Sequence, residues 1–207
     1  MSLFMGTGEE KEGGSFVGGA GEDSKAPTAK AKKRGSSIFG GVTTLRGPLE
    51  KWLGDELLVS DAQSLVAGPV LRPTGETGLR DMGYIGLYFG GAWSPPCRSF
   101  VPKLEKACAE INSRGKVFEV VYAGTDMEKA DLVETLKDRT WCAMKPGRGK
   151  ELQKLIDHLG VDTVPCLVVC RVTSKALKIV TMNGVSCMLC DPAARLFPWT
   201  KEPKRRA

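Results

Sequence analysis

Two short runs of β-branched and aromatic residues, "YIGLYF" at 84–89 and "VFEVVYA" at 117–123, interrupt polar surroundings and read as buried strands. Between them Phe100, Val101, Leu104, Ala107, Cys108 and Ile111 recur at helical spacing. One amphipathic helix is therefore predicted, opening at Pro95 and stopping near the glycine of "NSRGK". Strand, helix, strand is a βαβ unit. "EKADLVETLKD" (128–138) and "GKELQKLIDHLG" (149–160) predict two further helices. "CLVVCRV" and "ALKIVTM" predict two more strands, joined by a polar turn at Thr173 to Lys175 and antiparallel if that turn is a hairpin. After Asn183-Gly184 the pattern continues as an extended segment through Cys187 and Cys190. The sum is an α/β protein with a central mixed sheet flanked by helices, and no internal repeat.

Residues 1–44 do not share this pattern. They are rich in Gly, Ser, Lys, Glu and Ala and have few apolar side chains, so they bury too little surface to offset the entropy of ordering. A disordered tail is expected there, followed by one domain over 45–203 and a basic tail at 204–207. With 207 residues, 42% of them hydrophobic, the chain can build one core. The net charge of +6 gathers near the ends, in "KAKKRG" and "KEPKRRA", without interleaved aromatics, which does not point to nucleic acid. Those runs read first as solvated charge and second as nuclear-localisation segments. No apolar run approaches the roughly 20 residues that cross a bilayer, so no membrane partner is expected. The first residues turn acidic at once, which argues against a signal or transit peptide. Seven cysteines, an odd number, then suit a reducing compartment, with the cytoplasm as the default.

Chemistry concentrates in "GAWSPPCRSF" (91–100), where Trp93-Ser94-Pro95-Pro96-Cys97 stands one residue from a Trp-Cys-Pro-Pro-Cys dithiol site. In a Cys-x-x-Cys pair the first thiol sits at a helix N-terminus, where unpaired N–H groups lower its pKa to roughly 7 or below. A serine hydroxyl stays protonated there and cannot form a mixed disulfide. A hydrolase is not supported either: the Gly-x-Ser-x-Gly elbow is missing, and His158, the single histidine, reads as a helix-surface residue far along the chain. As structure, Ser94 before two prolines is a natural N-cap. Its hydroxyl is expected to accept the Cys97 amide, worth roughly 1 kcal/mol.

The other cysteines read mainly as packing. Cys187 and Cys190 form a second Cys-x-x-Cys, but in an extended chain they would lie about 10 Å apart on opposite faces. A disulfide needs Cα atoms within about 7 Å, so the pair closes only if the chain turns there. No second Cys pair completes a zinc site, and no metal or cofactor is expected. Cys108 and Cys142 read as buried apolar residues, and Cys166 and Cys170 as neighbours on one strand face. "GRGK" at 147–150 lacks the preceding glycine of a phosphate loop.

From about Leu45 to Pro203 the chain resembles the tryparedoxins, the nucleoredoxin-like branch of the thioredoxin superfamily. The resemblance is carried in order by "LYFGGAWSPPCRSFVPKLEK", "FEVVYAGTD", "GVDTVPCLVV" and "DPAARLFPW". It implies a thioredoxin fold and thiol–disulfide exchange, in which electrons pass from the dithiol trypanothione to peroxidases and other protein disulfides. It places the attacking cysteine on Ser94, the resolving cysteine on Cys97, the preceding tryptophan on Trp93, the cis-proline on Pro165 and an aspartate on Asp126. Cys166 follows the proline and is a possible auxiliary thiol. Three departures stand out: Thr125 where the family has tryptophan, a longer loop "AGPVLRPTGETGLRDMG", and the N-terminal tail. The expectation is a redox-fold binding or regulatory protein that holds a protein partner on Trp93, Pro95, Pro96, Val164, Pro165 and Asp126, with exchange lost or reduced. The alternative is a residual oxidoreductase working through Cys97, with Cys166, on protein disulfides or trypanothione.

Overall fold

The computed structural model describes residues 44–60, 69–125, 129–145 and 149–200. The expected tail, both basic segments and Asp126 lie outside the described residues, apart from Thr44 itself.

The strands are β1 (Thr44–Arg46), β2 (Glu56–Val59), β3 (Val70–Pro73), β4 (Tyr84–Gly90), β5 (Phe118–Gly124), β6 (Cys142–Met144), β7 (Cys166–Thr173) and β8 (Ala176–Thr181). The helices are α1 (Glu50–Leu53), α2 (Pro95–Ile111), α3 (Lys129–Leu136), α4 (Gly149–Leu159) and α5 (Gly184–Cys190). Among the described residues these eight strands form one mixed sheet in the order β1-β8-β7-β4-β5-β6-β2-β3. β4, β5 and β6 run parallel, and the other pairings are antiparallel.

The apolar runs at 84–89 and 117–123 are continuous because β4 and β5 sit mid-sheet with both faces covered. Ile85, Leu87 and Phe89 face one core with Leu49, Trp52 and Leu53 of the α1 region and Leu155 and Leu159 of α4. Tyr88, Val120 and Tyr122 face the other, with Phe100, Val101, Leu104 and Ala107 of α2, Leu132 and Leu136 of α3, and Cys187 and Met188 of α5. The α2 residues are the stripe expected from helical spacing, with Cys108 and Ile111 half-buried at its margin. The helix ends at Asn112, whose side-chain Nδ2 donates to the Phe118 carbonyl at 2.8 Å and whose Oδ1 accepts the Val117 and Phe118 amides. The helix end is thereby fastened to the start of β5. Thr173 closes the predicted β7–β8 hairpin, its hydroxyl donating to Ala176 O at 2.7 Å and accepting Ala176 N–H at 3.1 Å.

Two expectations need correction. The stretch after Asn183-Gly184 is not extended: residues 184–190 are helix α5, whose first bond runs from Cys187 N–H to Asn183 O at 2.9 Å. It packs close to the sheet, since a Cβ on Gly184 would stand 2.6 Å from the Leu167 carbonyl oxygen. The region before β4 is also more than a long loop. It supplies β3 and two 3-10 turns, Thr74–Glu76 and Leu79–Asp81, which bury Thr74 and Leu79 completely.

Candidate functional site

The chain leaves the sheet at the end of β4 and turns through Gly90 to Ser94 into α2. The Ser94 amide donates to Gly91 O at 3.0 Å, closing the turn, and Arg98 N–H donates to Ser94 O at 3.1 Å, opening the helix. Pro95 and Pro96 occupy the first two helical positions, where no N–H is needed. Arg98 reaches back to Ala92 O at 2.7 Å and braces the turn from outside.

Ser94 takes the N-cap position, but its hydroxyl makes no capping bond. That corrects the expectation of a bond from the Cys97 amide. The residue is only 4% exposed. Cys97 is 2% exposed, whereas Trp93 stands out at 60%. The indole of Trp93 lies over Gly91, because a Cβ built there would land on its Nε1 and stand 3.0 Å from Thr125 Oγ1. Thr125 donates to Gly90 O through its amide at 2.8 Å and its hydroxyl at 3.0 Å. Tyr122 OH donates to the same carbonyl at 3.0 Å. The end of β5 thus anchors the turn, with Thr125 beside the tryptophan.

Val164 and Pro165 arrive from the opposite side. Their peptide bond is cis. Cys166 pairs with Phe89 in the β4–β7 register, which sets Pro165 at the strand end from which Gly90 and the turn depart. Val164, Pro165 and Cys166 are half-buried, and Pro95 and Pro96 are exposed. Trp93, Ser94, Pro95, Pro96, Cys97, Val164, Pro165 and Cys166 therefore gather at one end of the sheet.

The thiols differ by burial. Cys166 is pushed up to about 11 by desolvation. Cys142 and Cys170 are pushed to about 12 by the same cause, to which the charge of Glu119 adds at Cys142. Burial likewise drives Cys108 well above the ordinary thiol range, with Glu119 and Glu105 adding to it. Cys166 and Cys170 both pack on the α1–α4 side of the sheet, as strand alternation predicts. His158 lies exposed on α4, as expected of a helix-surface residue, with its ring tilted against Trp52 at 4.6 Å. Among the described residues no three His, Cys, Asp or Glu side chains converge as a metal would need.

Sequence reasoning missed one feature. Cys97 forms part of the wall of a cleft of about 630 Å³ beside α2, with Tyr88, Arg98, Glu105, Tyr122 and Arg139. Arg139 forms an ion pair with Glu105 at 2.8 Å and lies over Trp141. The components of the cleft come from β4, α2, β5 and the segment after α3, so no linear signal marks it.

A mixed sheet in which the Val164–Pro165 segment meets the strand end where a Trp-x-Pro-Pro-Cys turn enters a helix has the thioredoxin fold. The thioredoxin-like family model matches residues 83–175. Zebrafish (Danio rerio) nucleoredoxin is 27% identical over 142 residues, 67% of this chain and 33% of its own length. Tryparedoxin of Trypanosoma brucei brucei is 29% identical over 113 residues, 55% of this chain and 76% of its own. Native tryparedoxin I from Crithidia fasciculata superposes with a TM-score of 0.61 at 25% identity, covering 74% of this chain and 98% of that one. Tryparedoxin II complexed with glutathionylspermidine gives 0.54 at 25% identity, over 70% and 92%. The protein is a tryparedoxin- and nucleoredoxin-like member of the thioredoxin superfamily. The chain spans about a third of the length of the nucleoredoxins it matches.

Proposed function

We propose that this protein uses a tryparedoxin-type surface to hold a partner, with dithiol–disulfide exchange lost or much reduced. One observation carries the reading. The position from which a nucleophilic thiol would attack is a serine, 4% exposed, and the thiol remaining in the turn is 2% exposed. An oxygen cannot enter a mixed disulfide, so the first step of exchange has no atom to perform it. What stays accessible is a docking surface: exposed Trp93, Pro95 and Pro96 beside the half-buried Val164–Pro165 loop. An extended partner segment would pair with the backbone before Pro165 and lie along Trp93, a form of strand addition. The partner in this reading is a protein, or a small dithiol of the trypanothione kind, and the glutathionylspermidine bound by a related tryparedoxin supports the second. The cytoplasm is the compartment that suits seven free thiols. The test is a disulfide-reductase assay of the purified protein with a dithiol donor. A rate at background is expected, and turnover matching a tryparedoxin measured alongside would overturn the reading.

A second reading, thiol chemistry at Cys97, has one observation in its favour: Cys97 borders the cleft beside α2. Against Cys166 as its helper, desolvation holds that thiol near 11, protonated at neutral pH. Mass-resolved alkylation separates the readings, since the second requires Cys97 to label fastest of the seven.

A further inference from the structure

We infer that Cys187 and Cys190 form a separate redox site, a dithiol that a low-molecular-weight disulfide such as glutathione disulfide oxidises to an intramolecular disulfide. The inference does not involve the Ser94–Cys97 turn.

The helix creates it. In an extended chain the two thiols would stand about 10 Å apart on opposite faces. In α5 they are three residues apart, one on the next turn above the other, and helix geometry brings their Cα atoms to about 5 Å. That falls within the roughly 4.4 to 6.8 Å of real disulfides. Neither is in a disulfide. Among the cysteines Cys190 is the one classed as exposed, while Cys187 is fully buried with its sulfur 3.9 Å from Thr181 Oγ1.

This asymmetry orders the chemistry. The Cys190 thiolate attacks the small disulfide, forms a mixed disulfide and expels one thiolate. The Cys187 sulfur, which need never meet solvent, then attacks the Cys190 sulfur and expels the second. The protein loses two electrons and two protons, and the small disulfide becomes two thiols. In a regular turn the Cβ atoms stand wider than a disulfide wants, so closure must twist the end of α5. That end can twist only together with Asp191, which has already left helical geometry at φ −133°, ψ 69° and is tied to residues 195–199. Such a bond would be exposed and strained, the kind that is readily reduced.

The oxidation state is transmitted through Asp191. Its amide donates to Cys187 O at 2.9 Å, and its carboxylate holds Arg195 N–H, Leu196 N–H and the Trp199 indole. Drawing Cys190 toward Cys187 moves this hub, and buried Trp199 with it.

Reduced full-length protein treated with glutathione disulfide and digested with trypsin tests the site, because the peptide Ile179–Arg195 carries these two cysteines and no others. The expected product is that peptide lighter by two hydrogens, restored by a reductant and accompanied by a reversible change in indole emission. Cys190→Ser, at an exposed position, abolishes the change, and Cys187→Ala traps glutathione on Cys190. A lasting glutathione adduct on the wild-type peptide, or Cys190 joined to another peptide, overturns the inference. The wild-type map decides even if the buried Cys187→Ala variant fails to fold.

Discussion

Asp191 Oδ2 accepts the indole N–H of Trp199 at 3.0 Å, and the same carboxylate takes the amides of Leu196 at 2.7 Å and Arg195 at 3.0 Å. One side chain thus folds the ending "DPAARLFPW" back on itself. Trp199, 2% exposed, meets Phe197 edge-on at 5.2 Å, and Phe197 meets Tyr84 of β4 and Phe118 of β5 in the same way. The last turn therefore closes the second core.

Asp191→Asn sets an NH₂ against donors that need an acceptor. Leaving the buried Trp199 N–H unpaired costs about 1–3 kcal/mol near neutral pH. Burial alone would raise the Asp191 pKa, but the bonds from Leu196, Trp199 and Arg195 outweigh it and hold it below 3.8. A depressed folded pKa gives stability that is present above 3.8 and lost as the pH falls through the folded value. Urea midpoints across pH should show the wild-type advantage shrinking in acid. An advantage that does not change with pH would mean the carboxylate charge is immaterial.

On the proposed reading, Ser94→Cys should raise dithiol exchange above the background rate expected of the wild type. Since the Ser94 hydroxyl makes no capping bond, the substitution forfeits none, and the stability change should stay within about 1 kcal/mol. The new thiol at the helix start has Cys97 three residues on to resolve its mixed disulfide. Insulin reduction by both forms measures it. If residue 94 and Cys97 oxidise to a disulfide yet the variant turns over nothing, Thr125 and the elements at 70–81 have altered the substrate surface.

Gly91→Ala pushes a methyl into the place of the Trp93 indole. Because Trp93 is 60% exposed, the ring can swing away, and the melting temperature should move by a few degrees at most. Emission from Trp93, with the other three tryptophans replaced by phenylalanine where tolerated, should change. An unaltered indole environment would show that Gly91 is not its floor.

Glu119 offers a pH test inside the sheet. It is 7% exposed, pairs with Lys116 at 2.7 Å and accepts the Val120 amide at 3.0 Å. Desolvation raises its pKa above 4.5 against the pull of Lys116 and Val120. A raised folded pKa gives stability that is full below 4.5 and lost as the pH rises through the folded value. Glu119→Gln, which cannot ionise, should therefore gain on the wild type as the pH rises from 4.5 toward neutrality. Thermal melts showing the opposite slope would place the Lys116 pair above the desolvation cost.

Local pattern determined the centre of this protein. β4, β5, β7 and β8 are apolar runs, and α2 has an apolar stripe, so period alone located them. Residue identity determined the chemistry of the turn, because a serine at 94 removes a thiol whatever surrounds it. β3 is exposed at every position and β6 is three residues long, so neither has a period to read. Each exists through its partner: β3 pairs with β2, and β2 pairs with β6, a strand far along the chain. Helix α5 was misread because "VSCMLC" suits strand and helix alike; the docking of Gly184 against Leu167 accompanies the helical outcome. The Ser94 hydroxyl, too, makes no bond to the helix end it was expected to cap, at a position buried in the fold. Periodicity is information held within a dozen residues, whereas strand pairing, close backbone approach and the choice of a buried rotamer depend on atoms that only the folded chain brings together.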